Sequence, residues 1–347
     1  MTADAARLIT TVDEISPDWV GEVLGRAVSQ VEVTTVGTGQ IGAVYRVRAP
    51  ELARPVLVKL PTADVASRAL LAGAYRSEVR FYAQIADTVS IRVPKVHLAQ
   101  MHDDDVAFTL VMEDLDPCAQ GDQIAGCTLA QALDAAENLA GLHAPRWCDE
   151  TLLEIDGLTR NGPDDAALLA EFFTPAVDMF IDGLGDLLSP QTVALLPDVA
   201  KVIEHWELAR RERFSLVHGD YRLDNLMFPP DGRPGVYAVD WQTLTVALPA
   251  RDLAFFTGTS LPVEDRRAWD RQIVERYHAA LLDQGVADHP LEECWEDYRF
   301  AMLQGPLVAV LGCAYGTRTE RGDRMFAAMV NRAVAAIADL GTLDLLD

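Results

Sequence analysis

The sequence predicts an α+β protein, with a sheet-rich first third followed by a mainly helical remainder. Three observations carry that prediction. Alternating apolar runs follow one another up to about residue 115, and long segments of helical period dominate from 116 onward. A chain of 347 residues is also long enough for two structural units, placed at 1–115 and 116–347.

The first 20 residues are read as a helix or a lead-in. Val31-Glu-Val-Thr-Thr-Val36 alternates as a strand does, and Gly37-Thr38-Gly39-Gln40-Ile41-Gly42 follows it. A lone GxGxxG is shared by unrelated nucleotide folds, and what comes next separates them. A dinucleotide fold needs a helix after the glycines, to present its N-terminus to the pyrophosphate. Here Val44-Tyr-Arg-Val-Arg48 continues as another strand, so strand, glycine loop and strand form a flap whose backbone N–H groups suit phosphates. The competing reading is a glycine-rich hairpin with no ligand.

A third strand, Pro55 to Leu60, carries Lys59 inside an apolar run. Lysine is rarely buried without a partner. The helical segment 67–87 supplies one, because Glu78 falls on the stripe formed by Leu71, Ala74, Tyr75, Phe81, Tyr82 and Ile85. An unpaired carboxylate facing a core is costly, and a Lys59–Glu78 ion pair resolves both anomalies; the competing reading is a partly exposed Glu78 and a snorkelling Lys59. Val96 and the run Ala107 to Met112 predict two more strands. They lead to a connector at Glu113-Asp-Leu115 whose backbone groups suit an adenine edge, an assignment that rests on order along the chain.

In the remainder, helical period marks Leu129–His143, Ala166–Leu188, Gln191–Arg213, Glu264–Gln284, Leu291–Tyr315 and Thr319–Leu340. Strand-like pieces survive only near 215–217 and in the runs on either side of a turn, Leu226-Met-Phe228 and Val236 to Val239. Pro229-Pro-Asp-Gly232 supplies that turn. If those two runs pair, Asn225 and Asp240 meet at the open end of a hairpin, with Asp220 on the loop leading in. Singly, each of these residues reads equally well as a turn or cap. Together, an Asp, an Asn five residues on and a strand-end Asp match the base and Mg²⁺ ligands of phosphoryl transfer.

Composition excludes several classes. A net charge of −24, from 53 acidic and 29 basic residues, argues against nucleic acid and anionic membranes as partners. The five cysteines show no CxxC pair and read as reduced thiols. The start of the chain lacks a signal-peptide pattern, and the uncharged stretch 300–317 is broken by Pro306 and glycines, so a cytoplasmic protein is expected.

The set Gly37, Gly39, Gly42, Lys59, Glu78, His218-Gly219-Asp220, Asn225 and Asp240 resembles the protein-kinase-like phosphotransferases. More narrowly, it resembles the aminoglycoside phosphotransferase and choline kinase superfamily. The loop reads His-Gly-Asp where protein kinases carry His-Arg-Asp, the metal motif reads Asp-Trp-Gln, and no Ala-Pro-Glu segment follows. Glu78-Val-Arg-Phe-Tyr82 together with Asp-Trp-Gln is most similar to the ecdysteroid-kinase-like (CHK) subgroup.

The resemblance spans about 30–330 and implies a protein-kinase-like bilobal fold. Its first lobe is an antiparallel sheet with one key helix that binds nucleotide, and its second is a mainly helical catalytic and substrate lobe. It implies ATP and Mg²⁺ as cofactors and a small-molecule hydroxyl as acceptor. Asp220 takes or orients the hydroxyl proton, Asn225 and Asp240 hold Mg²⁺, and Lys59 contacts α/β oxygens while Glu78 orients it. Gly37, Gly39, Gly42, Glu113 and Leu115 surround the nucleotide, and Asp252 braces the catalytic loop. The alternative is a catalytically weak nucleotide-binding pseudokinase that acts through a protein partner, against which the complete residue set argues.

Overall fold

The computed structural model describes residues 7–37, 42–102 and 106–346. Gly39 of the expected flap lies outside them. Two units result, and the described parts of Met1–Thr88, Val93–Pro117 and Val239–Leu244 form the first.

The first unit is built on α1 (Pro17–Leu24), β1 (Glu32–Val36), β2 (Gly42–Arg48), β3 (Val56–Pro61), α2 (Val65–Arg80), β4 (Val96–Met101) and β5 (Phe108–Glu113). The strands make one sheet in the order β1-β2-β3-β5-β4, and every neighbouring pair is antiparallel. Strand alternation sorts the side chains between two cores. Phe108, Leu110 and Met112 of β5 pack with Tyr75 and Val79 of α2, the Tyr75 and Phe108 rings lying 4.7 Å apart. Val111, with Val58 and Leu60 of β3, packs instead with Trp19 and Val20 of α1. On β3 the same period turns Lys59 away from Val58 and Leu60, onto the face that carries α2.

Asp64 caps α2 by accepting the Ala66 N–H at 3.1 Å. The helix does not run unbroken to residue 87 as its periodicity predicts. It widens into a π-turn at Phe81–Ile85, a form that occurs mostly as single-turn bulges within α-helices. The Trp241 ring stacks on Phe81 there, with centroids 3.4 Å apart, and Ser77 Oγ donates to the Trp241 carbonyl at 2.9 Å. Those contacts tie Val239–Leu244 into this unit.

The second unit comprises Val89–Arg92, Cys118–Ala238 and the described part of Thr245–Asp347. It contains β6 (Ala119–Gln120), α3 (Leu129–His143), α4 (Pro163–Leu184), α5 (Pro190–Leu208), β7 (Ser215–Val217), β8 (Leu226–Phe228), β9 (Tyr237–Ala238) and β10 (Thr245–Ala247). Five helices complete it: α6 (Ala250–Ser260), α7 (Val263–Asp283), α8 (Leu291–Phe300), α9 (Gln304–Tyr315) and α10 (Glu320–Leu340). β7 pairs with β10, and β6-β8-β9 form a small antiparallel sheet in which Leu226 faces Ala238.

Three helical expectations change. Gln191–Arg213 stops at Leu208, because Ala209 turns extended at ψ 161 and Arg210 follows in a left-handed conformation at φ 51. Leu291–Tyr315 breaks into α8 and α9 around a 3₁₀ turn at Ala301–Leu303, which lets Pro306 fall in the first turn of α9, where its missing N–H costs nothing. α6 has no counterpart among the predicted helices. All its residues are buried, so it shows no polar face and no period.

Among the described residues all five cysteines are free thiols, and no helix is long and apolar enough to cross a membrane.

Candidate active site

In the first unit, Gly37 adopts φ 65, a conformation that favours glycine. Gly42 opens β2 so close to β3 that a Cβ there would sit 2.6 Å from the Leu60 carbonyl oxygen. Backbone geometry thus favours glycine at both Gly37 and Gly42, while residues 38–41 of the expected flap lie outside the described residues.

Lys59 Nζ lies 2.8 and 2.7 Å from the two Glu78 carboxylate oxygens, and both side chains are largely buried. Gln242 Nε2 adds a donor to Glu78 at 3.4 Å. The Lys59 ammonium also lies 3.7 Å from Asp240 Oδ1. Burial alone would lower the Lys59 pKa, but the Glu78 and Asp240 carboxylates outweigh it and hold the group above the ordinary lysine value. The lysine is therefore a fixed positive charge at neutral pH.

Asp240 adopts φ 70, a left-handed conformation that is costly for a residue with a Cβ. Its Oδ1 is buried and accepts no hydrogen bond. Its nearest cation is the Lys59 ammonium, so this oxygen is charge-paired without accepting a hydrogen bond.

At the end of β5, Glu113 Oε1 accepts the Lys95 N–H at 2.8 Å, and Asp114 pairs with Arg46. Leu115 is buried, and its backbone makes no hydrogen bond among the described residues.

In the second unit, β7 leads directly into His218-Gly219-Asp220. Gly219 adopts φ 82, so this position requires glycine. Asp252, fully buried on α6, accepts the His218 N–H at 2.6 Å and the Gly219 N–H at 2.9 Å. His143 Nε2 stands 3.4 Å from the same carboxylate, and its Nδ1 is 2.7 Å from the Tyr277 hydroxyl. A buried network fixes the loop backbone. Asp252→Ala leaves two buried N–H groups unpaired and should reduce stability by about 3–5 kcal/mol; urea unfolding measures it. An unchanged midpoint would mean that the loop is held in another way.

Asp220 is itself clamped. Arg222 Nε donates to its Oδ1 at 2.9 Å, and Asn225 Nδ2 donates to its Oδ2 at 2.8 Å and to its backbone carbonyl at 2.9 Å. With its amino group turned to two acceptors, Asn225 leaves its carboxamide oxygen without a hydrogen bond among the described residues. Arg222 is not among the site residues read from the sequence. It bridges Asp220 and Asp224, reaching the latter at 3.0 Å, and the two carboxylates outweigh burial to raise its pKa. Asp224 is held in turn by Arg321 at 3.2 Å and the Gln123 N–H at 3.0 Å. Tyr221, Trp241 and Tyr298 are fully buried core residues, while Tyr315 is exposed.

Among the described residues no group of three or more His, Cys, Asp or Glu side chains is arranged to hold a metal. In the second unit the Asn225 carboxamide oxygen, and in the first the Asp240 Oδ1, accept no hydrogen bond among the described residues, and each is by itself a hard oxygen donor of the kind Mg²⁺ takes.

The profile of the phosphotransferase enzyme family (APH) matches residues 32–289. Among solved structures, choline kinase from Cryptosporidium parvum Iowa II is similar at TM-score 0.55 and 9% identity, covering 91% of each chain. Spectinomycin phosphotransferase in complex with ADP and spectinomycin is similar at TM-score 0.52 and 13% identity, covering 94% of this chain and 98% of that one. At such identities the likeness concerns the fold. Acyl-CoA dehydrogenase family member 10 of Mus musculus is 36% identical over 76 residues, which is 20% of this chain. The matched segment is only 7% of that protein's length.

Proposed function

The chain belongs to the phosphotransferase enzyme family, and on that premise we propose that it moves the γ-phosphate of Mg-ATP to a hydroxyl group of a small molecule. The observation that carries this reading is the buried Lys59–Glu78 pair beside an Asp240 oxygen that has no hydrogen-bond donor. A structural ion pair alone would not require the second, unsatisfied carboxylate.

In this reading residues 1–115 serve the nucleotide and 116–347 serve catalysis and the acceptor. Lys59 contacts the α- and β-phosphates, and Glu78 keeps its ammonium from folding back. Gly37, Gly39 and Gly42 let backbone N–H groups approach phosphate oxygens, while Glu113 and Leu115 flank the adenine. Asn225 Oδ1 and Asp240 Oδ1 hold Mg²⁺, which when bound neutralises charge on the transferring phosphate. Without that charge the two Asp carboxylates would repel a triphosphate, by about 4 kcal/mol per unit pair at roughly 4 Å and an effective dielectric near 20.

Asp220 orients the acceptor hydroxyl and receives its proton as the acceptor oxygen bonds to the γ-phosphorus. The bond from that phosphorus to the bridging oxygen breaks, and ADP leaves with the electron pair. Both Asp220 oxygens already accept one hydrogen bond, and each retains a lone pair for the substrate. Phosphoryl transfer asks mainly for positioning and electrostatics, which a clamped carboxylate supplies.

The reading is tested by incubating the protein with [γ-³²P]ATP and a small-molecule metabolite extract. Label should enter a metabolite in the presence of Mg²⁺ and stay in ATP when EDTA is added. Nucleotide binding with no transfer into any extract would favour a pseudokinase and overturn the proposal.

A further inference from the structure

The second unit contains a concentration of positive charge that the proposed reaction does not use. Five arginines, Arg160, Arg210, Arg211, Arg213 and Arg251, line one narrow, solvent-open cleft with an enclosed volume of only about 20 Å³, and Glu207 is its single acidic wall residue. In a chain of net charge −24 five neighbouring arginines are against the trend, although five carboxylates lie within 4 Å of three of them. None of Lys59, Asp220, Asn225 and Asp240 lines it.

Intramolecular pairing accounts for part of the cluster only. Arg251 pairs with Glu207 at 2.8 Å and lies over the Trp206 ring at 4.0 Å. Arg210 and Arg213 share Asp297, each at 2.7 Å, and reach the exposed Glu212, Glu293 and Glu296 at 3.1 to 3.9 Å. Arg160 rests on the Phe214 ring, 4.4 Å from its centroid, with no carboxylate partner among the described residues. The Arg211 side chain makes no ion pair or hydrogen bond among them, although it is half-buried.

Two further details mark the cleft. Arg251 is nine-tenths buried, and its Nε–H has no hydrogen-bond partner. A buried charged-group donor left unpaired costs on the order of 1–3 kcal/mol, so its persistence asks for an acceptor. Arg210 holds a left-handed backbone at φ 51, strain that brings consecutive arginines to one wall.

We propose that this cleft is an anion-binding site for a phosphoryl or carboxylate group, with Arg160 and Arg211 supplying the free charge and Arg251 the buried donor. Planar guanidinium groups match both kinds of oxyanion in a bidentate fashion. The walls are also joined to the catalytic loop. Arg251 precedes Asp252, which holds the His218 and Gly219 backbones. Val246 of β10 pairs with Leu216 of β7, two residues before His218. An anion bound here therefore stabilises the elements that carry Asp220.

Thermal unfolding of the full chain, without nucleotide or Mg²⁺, tests the site with inorganic phosphate as probe. Chloride at matched ionic strength is the control. Tm should rise saturably with phosphate and not with chloride. Arg160→Gln/Arg211→Gln should weaken the phosphate response by about tenfold or more, as expected for losing charge-assisted hydrogen bonds. Lys59→Ala should keep the response, which separates this cleft from a nucleotide site. Equal shifts in chloride, a full response in the double variant or loss of the response in Lys59→Ala would each overturn the proposal. Should the double variant fail to fold, Arg211→Gln alone, titrated with phosphate by ³¹P line broadening, must bind more weakly than the parent or the site is rejected.

Discussion

Replacing Asp220 with alanine is expected to lower kcat for phosphate transfer by about 10²–10⁴-fold, the range for losing a positioned general base, with nucleotide affinity little changed. The split between the two parameters follows from the contacts. Among the described residues the Asp220 carboxylate bonds to groups of the second unit, Arg222 through Oδ1 and Asn225 through Oδ2, while Lys59, which is proposed to contact the phosphates, is held by Glu78 and Asp240. Alanine also leaves Arg222 with one carboxylate, Asp224, and frees the Asn225 amino group from the side chain it faces. Asp220→Asn is the informative companion. It keeps size and an acceptor oxygen but cannot take a proton, so its kcat should stay near that of alanine while its stability stays near that of the parent. Steady-state kinetics on both variants, together with unfolding midpoints, separates the roles. Asn retaining parental kcat would show that proton acceptance by Asp220 is not required.

What the sequence discloses depends on whether a residue is anomalous in its own neighbourhood. Lys59 is legible because a charge in an apolar strand needs a partner, and Glu78 because it falls on an apolar helical stripe. The segment Leu129–His143 is legible from its helical period, and the structure starts it on a capping box of Thr128 and Gln131. α6 offers no such contrast, since a helix buried on every side has no polar face to reveal it. The clamp on Asp220 is hidden for a different reason. Asp224 and Arg321 are 97 residues apart, and each alone reads as a surface charge. The left-handed backbone at Asp240 is equally silent, because aspartate is tolerated there more readily than most residues and no glycine flags the position. The flap is readable at Gly37 and Gly42, where φ and strand spacing demand glycine.

Asp240→Ala should abolish transfer, with a loss of at least about 10³-fold, because several kilocalories per mole of metal-borne charge stabilisation depend on its free oxygen. It is also expected to behave unusually in stability. The backbone at φ 70 penalises alanine by roughly 1–2 kcal/mol, whereas glycine adopts it freely. Asp240→Gly should therefore be about 1 kcal/mol more stable than Asp240→Ala, yet equally inactive. In neither variant does Lys59 lose its main partner, since Glu78 holds it through both carboxylate oxygens. Activity and stability thus separate at a single position. Denaturant unfolding gives the order of stabilities, and Mg²⁺ titration of the residual rate gives the metal dependence. Transfer persisting in Asp240→Gly with the parental Mg²⁺ requirement would remove Asp240 from the metal site and leave its strain without a catalytic purpose.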